Sequence, residues 1–555
     1  MTQRSKKLLS ALVVTSLMGS LAVACTSNGN GSETNASPSP DTKSSTPPST
    51  SSNPAGAVTY PIKTDKTLSY WGEITGNLVG VKAAHNDVPF FQNWQKMTGV
   101  NLKFSAPPTN QAKEALNVLL ASGDLPDMIE YNWVTAFPGG PEKAIKDGYI
   151  LKLNDLMAKH APNLTKYLKE HPDVDKQVKT DNGSYYAFPF IRGDDYLRVF
   201  QGPIVRKDWL DDLGLPVPTT IDEWYTTLKA FKEKKGATAA FSVVSAPRPF
   251  NEMGNGAFVG AFGVTRDFYI DNGTIKFGPA EKGYKEFLAT FHKWYQEGLI
   301  DKNFATADSK ALDANIVSGA TGASVGNAGG SIGKWHPLVT AKDPKAVLIG
   351  APYPVLKKGD IPMYGQKDPA NAPGGSVAIT GSTKNAELAV QMLDYGYSEA
   401  GSKFFNFGTE GVSYKDENGY PKYTDLLMKN PDKLAPAQAM GLYIRGNYNG
   451  PFIQDKRYIE QYLALQSQRD AVTAWQKTDV DKYKLPPITA TPEESSELAK
   501  IMTDLDTLVD EMTLKIILGT EPVDSFDKYL EKFKSVKLDR AIEIKKASLD
   551  RYNKR

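Results

Sequence analysis

Pairs of side chains along this chain combine the types that hold a polar organic molecule without reacting with it. They are Trp71 with Glu73, Asn132 with Trp133, Arg192 with Asp194, Phe250 with Asn251, and Asn327 with Trp335. Aromatic members offer flat apolar faces, worth roughly 0.5–1.5 kcal/mol beyond the area they bury. Amide, carboxylate and guanidinium members offer paired hydrogen bonds, at about 1.5–3 kcal/mol where one partner is charged. A micromolar complex needs about 8 kcal/mol net, so two rings and a handful of polar contacts suffice.

Bond-making chemistry has less to work with. The five histidines (His85, His160, His171, His292 and His336) show no metal-ligand spacing. The glycine run 326–333 has Ala328 and Trp335 where a P-loop needs Gly and Ser or Thr. Gly254 and Gly256 lack the third glycine of a dinucleotide turn, since position 259 is Val. Asp271-Asn272-Gly273 and Asp416-Glu417-Asn418-Gly419 look like pieces of a calcium loop, but the ligand spacing does not continue and tight turns account for them. No metal, cofactor or catalytic residue is expected. Glycoside hydrolysis stays open, because it asks only for two carboxylates about 5–5.5 or 6.5–9.5 Å apart; Glu73 with Asp194 is the pair to inspect.

The elements that must position these residues alternate between strand and helix. Residues 68–71 read as a strand, 90–98 as a helix, 100–104 as a strand. Thr109 is the expected N-cap of a helix that turns Ala112, Leu116, Leu119 and Leu120 inward, and Ser122-Gly123 stops it. Residues 127–131 form the next strand, an order that implies an α/β sheet with parallel neighbours. Further on, 241–244, 346–349 and 376–379 read as buried strands. Thr220 with Glu223, and Thr491 with Pro492 and Glu494, are capping boxes that open helices. Residues 384–397 are amphipathic, with Leu388, Ala389, Met392 and Leu393 inward, and the C-terminal third is mostly helical. Several of the candidate residues fall just past expected strand ends, where open α/β sheets bind ligands.

The single cysteine, Cys25, closes an apolar run over residues 8–24 that follows Arg4, Lys6 and Lys7. A basic head, an apolar middle and small residues at the cut make a secretory signal, and the run is shorter than the ~20 residues of a spanning helix. A cysteine at that point is similar to the bacterial lipoprotein signal, in which the thiol carries the lipid; Ala22 departs from the usual leucine. Residues 26–57 are nearly all Ser, Thr, Asn, Pro and Gly, a composition that cannot bury enough apolar surface to order itself, so a flexible tether is expected. The formal charge of +2 loses three positives with Arg4, Lys6 and Lys7, leaving −1. Such a near-neutral body gives no electrostatic reason to bind nucleic acid.

Seven segments in order carry a family resemblance: 121–127 (ASGDLPD), 147–156 (DGYILKLNDL), 185–189 (YYAFP), 206–214 (RKDWLDDLG), 218–224 (PTTIDEW), 293–300 (KWYQEGLI) and 405–411 (FNFGTEG). Together they resemble the extracellular solute-binding proteins of carbohydrate ABC importers (family 1), especially the large lipoproteins of the LplA/YtcQ type from Bacillus and Paenibacillus. The resemblance implies an α/β, two-lobed periplasmic-binding-protein-like clamp of type II topology with helical C-terminal additions. It implies a signal peptide over 1–24, a tether over 25–57, an N-lobe over 58–192 and a C-lobe over 193–373. An N-lobe return over 374–411 and a helical C-lobe completion over 412–555 follow. The crossings are expected near Phe190-Ile191-Arg192-Gly193, at Gly374-Gly375-Ser376 and around Gly411, with glycines absorbing hinge rotation. In this family the glycine run 326–333 faces the cleft. Among the candidates, position at strand ends and crossings makes Trp133, Arg192 and Trp335 the first choices for ligand contacts. The implied function is capture of a sugar, an oligosaccharide, by a monomer lipid-anchored through Cys25 on the outer side of a Gram-positive cell membrane. The ligand then passes to ABC permease subunits. A surface carbohydrate hydrolase, a sensory protein serving a receptor kinase, and a peptide or cation ligand in the same clamp are the alternatives.

Overall fold

The computed structural model describes residues 58–108, 111–244, 257–447 and 449–555. Its strands, in chain order, are β1 (Thr67–Trp71), β2 (Asn101–Ser105), β3 (Met128–Glu130), β4 (Phe188–Arg192), β5 (Gln201–Arg206), β6 (Phe268–Asp271) and β7 (Thr274–Phe277). They continue as β8 (Ala323–Asn327), β9 (Leu348–Gly350), β10 (Asn371–Ile379), β11 (Tyr414–Glu417), β12 (Tyr420–Tyr423) and β13 (Ile453–Gln454).

The first lobe is organised by a six-stranded sheet in the order β13-β4-β10-β3-β1-β2. Successive side chains of a strand point to opposite faces, and this sheet is apolar on both. Leu68, Tyr70, Met128, Val377 and Ile379 join the cluster on one face, while Trp71, Ile129 and Ala378 join the cluster on the other. β1 runs parallel to β2 and β3, as the alternating order of strand and helix requires. β10 arrives late in the chain and inserts antiparallel between β3 and β4. That inserted strand is the type II arrangement.

The second lobe is built on a three-stranded antiparallel sheet, β8-β5-β9. Its core takes in Trp224, Leu228 and Phe231 from the helix Ile221–Lys235, Phe287 and Phe291 from Lys282–Gln296, and Leu505, Val509 and Ile516 from Pro492–Leu518. The last of these helices opens as its sequence predicts. Thr491 Oγ1 accepts from the Glu494 N–H at 3.2 Å, and the Glu494 carboxylate accepts from the Thr491 N–H at 3.1 Å. At Thr220 only half the expected box forms: Thr220 Oγ1 accepts from the Glu223 N–H, but the Glu223 carboxylate reaches back one residue further, to Thr219.

Several boundaries differ from expectation. The helix expected to be capped by Thr109 begins at Ala112 with Gln111 at its N-cap, and Thr109 lies outside the described residues. Residues 241–244 make only isolated bridges at Phe241, to Ile300 and Ala323. The chain has rejoined the first sheet by Asn371, ahead of the expected return at 374. An exit at Gly411 does not occur. That glycine, with φ at 76°, makes the turn before the β11–β12 hairpin. Residues 412–454 then stay with the first lobe, where Leu442 and Phe452 enter its core and β13 pairs with β4. The chain leaves only after Gln454, when the helix Gln466–Trp475 packs on β9 and Trp475 donates to the Ala351 carbonyl at 3.0 Å.

Candidate functional site

Hollows lie where the sheets end and where the chain crosses. The first, about 470 Å³, opens at the C-terminal ends of β1 and β3 and is lined by Glu73, Lys113, Glu114, Glu130, Tyr131 and Asn132, among others. Its floor is set by Glu130, whose carboxylate accepts from the Tyr70 hydroxyl at 2.5 Å and from Arg445 Nη2 at 2.6 Å. Both members of that ion pair are buried. Arg445 also donates to the Asn449 carbonyl at 2.6 Å and lies 5.6 Å over the Phe91 ring, so its orientation is fixed. Gly72 is where it is because of this floor: a Cβ there would stand 3.2 Å from Glu130 Cβ. Burial, then the neighbouring Glu130 charge, pushes the Glu73 carboxyl above its usual range. The same burial, with Glu73 and Glu114 nearby, raises the Tyr131 hydroxyl. Glu73 also borders an adjoining hollow of about 680 Å³ with Lys82, Pro107 and Pro108.

A second cavity, about 260 Å³, sits at the crossing itself and draws its walls from both lobes. Arg192 and Gln454 come from β4 and β13 of the first sheet; Asn327 comes from β8 of the second. Between Asn327 and the helix Gly333–Thr340 lies a π-helical turn, Ala328–Ile332, a form that recurs at functional sites. Gly329 in that turn has no room for a side chain, because a Cβ would come 2.5 Å from Tyr462 Cε1. Tyr196, Phe200, Tyr458 and Tyr462 supply rings to the cavity, the last two stacked with centroids 6.0 Å apart. Arg192 is held by Asp368 at 2.9 Å and by the Leu197 carbonyl at 3.2 Å, between the rings of Phe190 and Phe200. Three buried polar atoms on this wall have no hydrogen-bond partner within the described residues: Arg192 Nε, Asn327 Oδ1 and Asn447 Oδ1. Buried polar groups are nearly always satisfied, so these atoms are completed by ordered water or by the polar groups of a guest.

Of the residues expected from sequence, Glu73 and Asn132 line the first hollow, and Arg192 and Asn327 line the second. Asn132 is partly engaged, its amide bonded to the Thr135 N–H at 3.0 Å and hydroxyl at 2.7 Å. Trp71 lies under the first hollow, 5% exposed and tilted against Tyr131. Asp194 sits at the crossing, accepting from the Tyr196 N–H at 2.8 Å, with Lys456 3.5 Å away. It lines neither hollow, so its pairing with Glu73 as two hydrolytic carboxylates finds no support in these hollows. Two first choices need correction. Trp133 is fully buried against Tyr131 and Phe137, and Trp335 is 2% exposed with its indole N–H donated to Asp313 at 2.7 Å. Both indoles belong to cores. Phe250, Asn251 and Cys25 lie outside the described residues. Sequence reasoning missed Glu130, Arg445, Asn447, Tyr458 and Tyr462. Glu130 was within reach, standing near the end of an expected strand; Arg445 and Asn447 fell in a segment expected to belong to the opposite lobe, and Tyr458 and Tyr462 in a segment expected only as helical completion.

Comparison with known proteins adds a second line of observation. The profile of the family described as bacterial extracellular solute-binding protein matches residues 82–403. The chain is 24% identical over 426 residues to lipoprotein LipO of Bacillus subtilis, across 74% of this chain and 79% of that protein. It is 25% identical over 538 residues to the fructooligosaccharide ABC transporter substrate-binding protein FusA of Streptococcus pneumoniae, across 89% and 92% of the two chains. The crystal structure of the alginate-binding protein AlgQ2 superimposes with a TM-score of 0.70 at 26% identity, covering 88% of this chain and 99% of that one.

Proposed function

We propose, on the premise that this chain belongs to the family of bacterial extracellular solute-binding proteins, that it captures an oligosaccharide between its lobes and delivers it unaltered to an ABC transporter. The observation that carries this reading is the crossing cavity, with walls from both lobes, four rings and three unsatisfied polar atoms. A sugar presents flat C–H faces to rings and hydroxyls to polar atoms, which is the complement of that wall. Because the cavity spans the crossing, its occupation favours one relative position of the lobes, and that position is what a permease can sense.

In this reading Arg192, Asn327, Asn447, Tyr458 and Tyr462 hold one end of the ligand, and Glu73, Glu130, Tyr131 and Asn132 line its continuation along the strand ends. The first lobe comprises 58–192 and 371–454; the second holds the three-stranded sheet and the helices packed on it. The protein acts as a monomer, tethered outside a Gram-positive membrane through lipid on Cys25. Stable anchoring by such a group takes about two acyl chains, at roughly 0.8 kcal/mol per buried methylene. Among the described residues no helix is long and apolar enough to cross a membrane.

Thermal-shift screening against a plant and microbial glycan panel tests the reading. A ligand present at 100 times its dissociation constant stabilises by about 2.7 kcal/mol. Stabilisation by a glycan recovered intact supports capture, whereas cleaved fragments would establish a hydrolase instead.

A further inference from the structure

The named relatives leave the charge of the glycan open, since fructooligosaccharides are neutral and alginate carries a carboxylate on every ring. The residues lining the two hollows discriminate between these chemistries. In the strand-end hollow three carboxylates, Glu73, Glu114 and Glu130, face one lysine, Lys113. Glu130 is matched by Arg445, which leaves Glu73 and Glu114 against Lys113, a surplus of one negative charge. At the crossing, the Arg192 guanidinium is already matched by Asp368. Both guanidinium groups that could have formed a bidentate clamp on a uronate are thus engaged with carboxylates of the protein itself. Of the unsatisfied atoms, Asn327 Oδ1 and Asn447 Oδ1 are carbonyl oxygens, while Arg192 Nε is a donor that a hydroxyl oxygen satisfies as readily. Asn447 donates its Nδ2 to the Ala437 carbonyl at 2.9 Å, which fixes its orphaned Oδ1 as an acceptor. An acceptor needs a donor from the guest. Hydroxyls of neutral and acidic sugars alike have a hydrogen to give, but each uronate ring has exchanged its C6 hydroxyl for a carboxylate, which at neutral pH has none.

We infer that the bound glycan presents hydroxyl donors and no carboxylate: its hydroxyls donate to Glu73, Glu114 and Asn447, and uronate chains are rejected by the surplus negative charge. This rests on the glycan-capture reading above and narrows it to a substrate class. Carboxylates are strong acceptors for sugar hydroxyls, so the charge that excludes one class grips the other.

The test sets two pools of oligosaccharide digests against the purified protein at pH 7, followed by thermal shift and calorimetry. One pool is neutral, from xyloglucan, galactomannan and inulin; the other is acidic, from pectate and alginate. The expected result is stabilisation by a component of the neutral pool and none by the acidic one. Glu73→Gln should then weaken the neutral ligand about tenfold, the difference between a charged and a neutral acceptor. Stabilisation by the acidic pool equal to or above that of every neutral digest overturns the inference while leaving glycan capture intact. A protein indifferent to both pools overturns the capture reading, and this inference with it.

Discussion

At the scale of single residues, one tryptophan and one tyrosine trade the roles that their types imply. Trp335 is locked in a core by Asp313, so Trp335→Ala should lower stability by about 3–5 kcal/mol, as large-to-small core changes do. Glycan affinity of the protein that remains folded should stay within about twofold, since no part of the site is removed. Tyr462→Ala should behave in the opposite way, with affinity down about tenfold for the loss of one stacking ring. Calorimetry and urea denaturation on the same pair of variants would reveal the crossing pattern. A second prediction concerns acid. Burial, and then the Arg445 charge, hold the His85 imidazole down to about 4 from 6.5. The unfolded chain therefore binds a proton between pH 6.5 and 4 that the folded protein refuses, and stability from this group falls as pH falls through that window. Asp394 acts with the opposite sign. Burial raises its carboxyl to about 6, so it holds a proton in the folded state and adds stability as pH drops from 6 toward 3.8. His85→Gln should thus gain stability on acidification from pH 6 to 4.5, and Asp394→Asn should lose it, each by up to about 2 kcal/mol in urea midpoint terms. Equal slopes for the two variants would refute the assignment. Sequence could place Glu73 near a site because it follows an expected strand, whereas Arg192 and Asn327 were placed by the crossing and the glycine run that the family resemblance puts at the cleft. It could not separate a core tryptophan from a stacking one, since both look alike until their neighbours are known.

At the scale of elements, local signals were read most faithfully where they are chemically complete. Thr491-Pro492-Glu493-Glu494 contains the cap, the N1 proline and the box partner, and the helix begins at Pro492. Gly123, expected to stop the helix after Ser122, takes the left-handed cap with φ at 71°. Glycine elsewhere was ambiguous. Gly193, expected as a hinge that absorbs rotation, is demanded by crowding instead: a Cβ would lie 2.6 Å from the Gln454 carbonyl oxygen where β4 meets β13. Gly411 marks a turn and not a change of lobe, and nothing in one sequence distinguishes these uses. The crowding at Gly329 yields a prediction at this scale. In Gly329→Ala the nearest atom to the new methyl belongs to the Tyr462 ring, which must swing aside, so stability should fall by about 1–3 kcal/mol. The displaced ring then spoils its stack on Tyr458, and glycan affinity should fall about tenfold. An unaltered affinity would detach the π-helical turn from binding.

At the scale of the whole molecule, the lobes are joined by more than the three crossings of the backbone. The last helix, Leu538–Asn553, puts Leu538 and Ala541 into the core of the second lobe. Its far end reaches the first lobe, where Asp181 accepts from Arg551 at 2.8 Å and from Arg555 at 2.5 Å. Arg551 also binds Glu494 at 2.8 Å, at the start of the long second-lobe helix, while Arg555 donates to the Lys179 carbonyl at 2.6 Å. The network therefore ties one first-lobe turn to two second-lobe helices. Sequence offered no sign of it, because its members are 370 and 374 residues apart and each looks like an ordinary surface charge. Arg555 is 1% exposed in its side chain, so removing its partner would strand a buried charge, a change that costs about 3–5 kcal/mol. Asp181→Ala is expected to lower the urea midpoint accordingly and to speed amide exchange in Leu538–Asn553, while Lys282–Gln296, packed deep in the second lobe, keeps its protection. If the strap limits how far the lobes part, the same variant should also release bound glycan faster, because an opened cleft is the route out. Uniform loss of protection in both helices would mean instead that the ion network holds the second lobe together and does not act between the two.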